Sequence, residues 1–124
     1  MAPVTITTYS ANPVGLLIGA GLFALTSSQA NYHSGSFAYD NLLSRLPATW
    51  VQNMATYQRL AFWTLLILHS AEAAWLDVSR LQKHGVPRFS GLWWKWILGH
   101  LVEGFPSFGR FDALVKEKER AKAS

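Results

Sequence analysis

From residue 48 to residue 83 the chain contains neither glycine nor proline, and inside that run lies an apolar stretch, LAFWTLLILHSAEAAWL, at 60–76. The run reads as one helix, preceded by Pro47 and stopped by Gly85 and Pro87. At 1.5 Å per residue such a helix is longer than a small domain is wide. Its apolar centre approaches the roughly 20 residues that cross a bilayer's hydrocarbon core. Half of the 124 residues are hydrophobic and only 15% are charged, against roughly 25% in an ordinary soluble domain. So short a chain cannot bury that much apolar surface in its own core. The excess calls for lipid or a partner. The fold class expected is all-α: an integral membrane protein with about three transmembrane helices and a short amphipathic connecting helix.

The segments follow from the same argument. Pro13 opens an uncharged apolar run, and a first transmembrane helix is expected at 13–30. No positive n-region precedes it, so a signal peptide is not indicated. Gly15, Gly19 and Ala20 supply the small residues at four-residue spacing that let helices approach closely in lipid, although glycine is also simply common in membrane helices. Residues 36–46 place Phe37, Leu42, Leu43 and Leu46 around Asp40 and Arg45, an amphipathic piece suited to the interface. His33 is a lone loop histidine. The second helix is 48–83, with 60–76 in the membrane and Trp50, Tyr57, Trp63 and Trp75 as belt residues. A third helix is expected at 91–109, with Trp93, Trp94 and Trp96 at the headgroup level and Lys95 snorkelling between them. The alternative for this segment is a helix lying in the interface. A polar tail, 112–124, looks solvated and dispensable for folding. With three spans the 80–88 connection and the tail lie on opposite sides, and the Lys/Arg balance favours a cytoplasmic C-terminus.

The formal net charge is +4. The cations gather in one connection and the tail, which suits an anionic membrane surface. They do not alternate with aromatics, so no nucleic-acid partner is expected. There is no cysteine, which excludes disulfides and thiolate metal sites. No cofactor is indicated.

Two polar pairs interrupt the apolar segments: His69 with Glu72, and His100 with Glu103, each three apart and so each on one helical face. Ionisable groups at that depth face a bundle interior or a cavity. Folding about residues 84–85 sets His69 opposite His100, and the four residues can converge. Three readings compete. The cluster can lock the helices together without chemistry, it can orient the polar part of a lipid or lipophilic small molecule, or it can be catalytic or metal-binding. The Glu-x-x-His of carboxylate-bridged di-metal bundles has the opposite order.

The HSAEA stretch of the second segment, the KHGV turn, the Trp-rich entry and WILGHLVEGFPSF resemble the small membrane proteins grouped with vertebrate transmembrane protein 254. His69, Glu72 and Ala73 fit the second-span motif, the residues from Lys83 to Val86 the turn, and Trp96, Gly104 and Ser107 the third span. His100 and Glu103 depart from it. The resemblance implies a helical membrane protein and no particular activity. The role expected is non-catalytic, as an accessory or scaffold subunit or a lipid-binding protein, in the endoplasmic reticulum or another internal membrane. Its partners would be membrane lipids and a membrane protein or a second copy of the chain. The alternative is a small membrane enzyme, an isomerase or cyclase acting on a lipophilic substrate, with the His/Glu residues as acid and base.

Overall fold

The computed structural model describes residues 2–124, which form five α-helices and no strand. These are α1 (Pro13–Thr26), α2 (Phe37–Asn41), α3 (Ala48–Leu76), α4 (Gly91–Glu103) and α5 (Pro106–Ala123). Single 3-10 turns occupy Gln29–Tyr32 and Leu43–Arg45, and a π-turn, Asp77–Leu81, prolongs α3. The chain divides into two compact units. One joins the residues up to Gly19 with Leu68–Ser124, and the other is Ala20–Ile67.

In the first unit the expected long third helix is two helices. Ser90 caps α4, its hydroxyl accepting from the Trp93 amide at 3.2 Å. Gly104, at φ +78°, ends α4, and Pro106 opens α5 at a position where its missing N–H costs nothing. The packing partners show that α5 runs back along α4. His100 meets Ser107 and Phe108, Trp96 lies edge-on to Phe111 at 5.0 Å, and Asp112 reaches Arg80. The tail at 112–124 is therefore not a free extension: it continues α5 as helix, and Leu114 and Val115 pack on the core. The same return brings the tail beside the 80–88 connection rather than to the opposite end.

The core of this unit is Ile6, Ala73, Leu76, Leu81, Val86, Trp96, Ile97, Phe108 and Phe111. Trp96, expected at an interface, is wholly buried, and its indole N–H donates to the Thr8 carbonyl. Ile6 belongs to an extended N-terminal strap. Its amide donates to the His84 carbonyl at 2.9 Å, and His84 Nδ1 donates to Val4 O at 2.8 Å. Nothing in the helical periodicity announces this strap. Gly19 explains one close approach: a Cβ there would collide with the Val102 carbonyl of α4. Of the two readings of the small residues, the packing one is what the structure contains.

The second unit holds the end of α1, α2 and the first part of α3 around Tyr32, Leu43 and Val51. Here α1 stops at Thr26, short of residue 30, because Gln58 of α3 donates its amide to the Thr26 carbonyl, and Ser28 starts a new cap. The segment expected at 36–46 is α2 followed by the second 3-10 turn.

Among the described residues no single helix is both long and apolar enough to cross a membrane. The run Pro13–Thr26 with Gln29–Asn41 reaches that mark only as a pair bent by 95°. The all-α class stands, while three straight spans do not follow from these helices.

Candidate functional site: the buried polar seam of α3, α4 and α5

His69 and Glu72 project from one face of α3 toward α4, as their spacing requires. Which α4 residue each one meets depends on the connection. Glu72 and His100 are equidistant from Val86, so the pairing is centred there rather than on residues 84–85. Glu72, not His69, faces His100, with Oε2 3.4 Å from Nε2.

His69 sits nearer the end of α4. Its Nδ1 lies 2.7 Å from the Leu101 carbonyl. A carbonyl can only accept, so Nδ1 carries the proton in this contact. Leu101 is in the last turn of α4, where helix carbonyls lack intrahelical donors. The imidazole thus acts as a C-terminal cap. Gly104 makes room for it, since a Cβ there would lie 2.7 Å from His69 Nε2.

His100 is completely buried. Its Nδ1 contacts the Ser107 hydroxyl, which in turn donates to the Gly104 carbonyl at 3.1 Å. The hydroxyl hydrogen is committed to Gly104, so Ser107 accepts from His100 Nδ1–H. The other nitrogen is turned to Glu72. Neither Glu72 Oε2 nor His100 Nε2 makes a well-aligned hydrogen bond. Ser107 and His100 thus form a hydroxyl–imidazole pair, with the Glu72 carboxylate beside the second imidazole nitrogen.

Glu103 takes a different course. Its side chain is 1% exposed and pairs with Arg110 of α5 through Oε1. The same oxygen accepts from Asn12 Nδ2 at 3.3 Å. Asn12 also caps α1, its Oδ1 accepting from the Gly15 amide at 3.1 Å. Arg110 donates through Nε to the Ser10 carbonyl at 2.8 Å. Glu103 is a clasp joining α4, α5 and the strap.

The four candidate residues therefore adjoin one seam but split into separate tasks: a cap, a clasp, and the Glu72–His100 pair. No group of three or more metal-ligating side chains among the described residues could hold a metal ion. Sequence reasoning did not anticipate Ser107 or Arg110 as members. Their signal was a spacing of seven, Ser107 from His100 and Arg110 from Glu103, which has meaning only once the break at Gly104 folds α5 back.

A second polar centre lies at the end of α3. Asp77 Oδ1 accepts from Gln82 Nε2 at 2.7 Å and from the Trp93 indole at 2.8 Å, and Oδ2 accepts from Arg88 Nε at 2.8 Å. Burial raises its pKa, but the hydrogen bonds from Trp93, Gln82 and Arg88 and the Arg88 charge outweigh it and hold the carboxyl below its ordinary value.

A family model described as YDR476C-like C-terminal domain matches residues 14–117. The chain belongs to this family. The matched region contains Glu72, His100, Glu103, Ser107, Arg110 and Asp77, and so both polar centres. No curated protein and no solved structure matches the chain.

Proposed function

We propose that this member of the YDR476C-like family is a helical integral membrane protein with a non-catalytic role, lipid-binding or accessory, in the endoplasmic reticulum or another internal membrane. One observation carries the reading: ionisable and hydroxyl groups are buried in the seam while many large apolar side chains stay on the surface. His100 and Ser107 are wholly buried, whereas Leu17 is 75%, Ile67 66% and Phe105 73% exposed. Exposing apolar area to water costs about 25 cal/mol per Å², and acyl chains remove that cost. The exposed residues recur at helical spacing: Val14, Leu17, Ile18 and Leu22 on α1, and Leu60, Trp63 and Ile67 on α3. Helix α3, of 29 residues, has the length of a span, and what lowers its average hydropathy includes His69 and Glu72, both turned to α4. Helix α4, of 13 residues, is too short to cross, so α4 and α5 are read as a hairpin that enters and returns. On that reading the 80–88 connection and the C-terminal end of α5 share one side, the cytoplasmic one by their Lys and Arg content. Membrane lipids, and a protein partner or second copy, cover the apolar stripes. The resemblance to the transmembrane protein 254 group belongs to the same proposal.

The test is alkaline carbonate extraction combined with single-cysteine labelling. Leu17→Cys and Ile67→Cys should resist a membrane-impermeant maleimide, and a cysteine at Ala123 should react from the cytoplasmic side. Release by carbonate, with free labelling of position 67, refutes the proposal.

A second reading is favoured by the Ser107–His100–Glu72 arrangement. A carboxylate beside an imidazole supplies the parts of an acid–base pair, as an isomerase or cyclase for a lipophilic substrate requires. Turnover abolished by His100→Asn in a protein that still folds would support it over the non-catalytic role.

A further inference from the structure

We infer that the groove between α5 and the N-terminal strap binds the phosphate of an anionic phospholipid headgroup. The inference rests on the membrane reading above and assigns it a specific site.

The groove is open on one side and offers about 960 Å³, room for a lipid headgroup. Its walls are held in place by contacts already described and one more. The strap is hydrogen-bonded to the end of the α3 connection through Ile6, Val4 and His84. On the α5 side, Lys118 Nζ donates to the Thr5 carbonyl at 3.2 Å and to the Thr7 hydroxyl at 3.0 Å. Lys118 is therefore a strut rather than a ligand group.

The charge of the lining is unbalanced. Lys83, Lys116, Arg120 and Lys122 line the groove together with two carboxylates, Asp112 and Glu119. Asp112 is neutralised by Arg80, which grips both of its oxygens at 2.9 Å. Four cations set against Glu119 leave a surplus of three positive charges. Elsewhere in this unit Arg80, Arg88 and Arg110 each have a carboxylate, whereas no carboxylate bridges any of these four among the described residues. The remaining lining includes Pro3, Val4, Val115 and Ala123, an apolar surface beside a cationic one. That combination fits an amphiphile, with its phosphate against the lysines and arginine and its glycerol backbone against the apolar side. A free inorganic anion would use only the first half. The cations come from two distant parts of the sequence, and only the return of α5 collects them. The groove also lies at the end of the unit that the basic residues assign to the cytoplasmic surface, where anionic lipids are enriched.

The experiment uses the full chain purified in an uncharged detergent and titrated with short-chain phosphatidic acid, followed by intrinsic Trp fluorescence and native mass spectrometry. Short-chain phosphatidylcholine and inorganic phosphate are the comparison ligands. Phosphatidic acid should bind saturably at one site, with phosphatidylcholine and inorganic phosphate at least tenfold weaker. Each surface cation near an anionic lipid contributes on the order of a fivefold gain, so Lys116→Gln with Arg120→Gln should weaken binding about 30-fold. Both residues are exposed, and melting of the double variant should match the parent. Arg45→Gln with Arg59→Gln removes the same charge elsewhere and should leave binding unchanged. Equal binding of phosphatidylcholine, equal competition by inorganic phosphate, or equal loss in the Arg45/Arg59 variant overturns the assignment. Carbonate extraction separates the two claims: a protein that stays in the membrane and fails to bind phosphatidic acid sinks the site alone.

Discussion

Replacing Asp77 should destabilise the first unit by about 3 kcal/mol and should do so in a pH-dependent way. Its carboxylate receives three side-chain hydrogen bonds, from Gln82, Trp93 and Arg88. These bind the end of α3 to the turn and to the first turn of α4. A hydrogen bond to a charged group contributes about 1.5–3 kcal/mol. The Arg88 side chain is half exposed, so its share falls to about 0.5–1 kcal/mol by screening. Gln82 also reaches the Val86 carbonyl at 3.2 Å and keeps that partner. The Trp93 indole has no such second partner and carries most of the loss. In Asp77→Ala these effects sum to about 3 kcal/mol. Asp77→Asn keeps the shape and loses the charge, and should cost about half as much. The folded carboxyl titrates below its unfolded value of about 3.9. Its contribution is therefore complete above that value and is lost as pH falls through the folded one. Thermal unfolding in mild detergent, followed by circular dichroism, should show a constant gap between parent and Asp77→Asn from pH 7 to about pH 5. The gap should then close as the pH drops below about 4. A gap that persists at the acid end, or an Asp77→Ala loss under about 1 kcal/mol, would refute the hub.

Three other outcomes follow from the packing. Gly19→Val should cost about 2–3 kcal/mol because the new Cβ meets the Val102 backbone carbonyl, while Gly21→Ala, with open space around it, should stabilise by about 0.5–1 kcal/mol; chemical denaturation of the two variants gives the signs. Glu72→Leu and His100→Leu should each destabilise by about 2–3 kcal/mol and be far from additive, since the double change leaves neither partner stranded; a double-mutant cycle showing additivity within about 0.5 kcal/mol would dissolve the pair. Phe111→Ala should cost about 3–5 kcal/mol, because the ring is fully buried against Trp96, whereas truncation after Val115 should cost under about 1 kcal/mol; a larger loss on truncation, measured by melting temperature, would show that Lys118 and its neighbours carry the strap.

Helix existence was legible wherever periodicity and breakers agreed. The long α3, the turn before Pro87, the start of α1 at Pro13 and the presence of helix at 91–103 all follow from local backbone preferences, which act within a few residues. The pairing of His69 and Glu72 on one face is likewise a property of a single helix. The sequence also contained the small residue at 19 that α4 requires. What it did not determine by itself was where the helices point after a break. Gly104 and Pro106 signal an end, but a weak end inside a span and a reversal read alike until α5 is seen packed on α4. That reversal changes the partners of Glu103, brings Ser107 and Arg110 into the seam, buries Trp96, and moves the tail cations beside Lys83. Likewise the hairpin packs with Glu72 rather than His69 opposite His100, a register that the spacing of the polar residues does not fix. Such choices depend on contacts between residues far apart in sequence, such as Ile6 with His84 or Arg110 with Ser10. The free energy of those contacts exists only once the chain has closed the loops between them, so no local pattern records them.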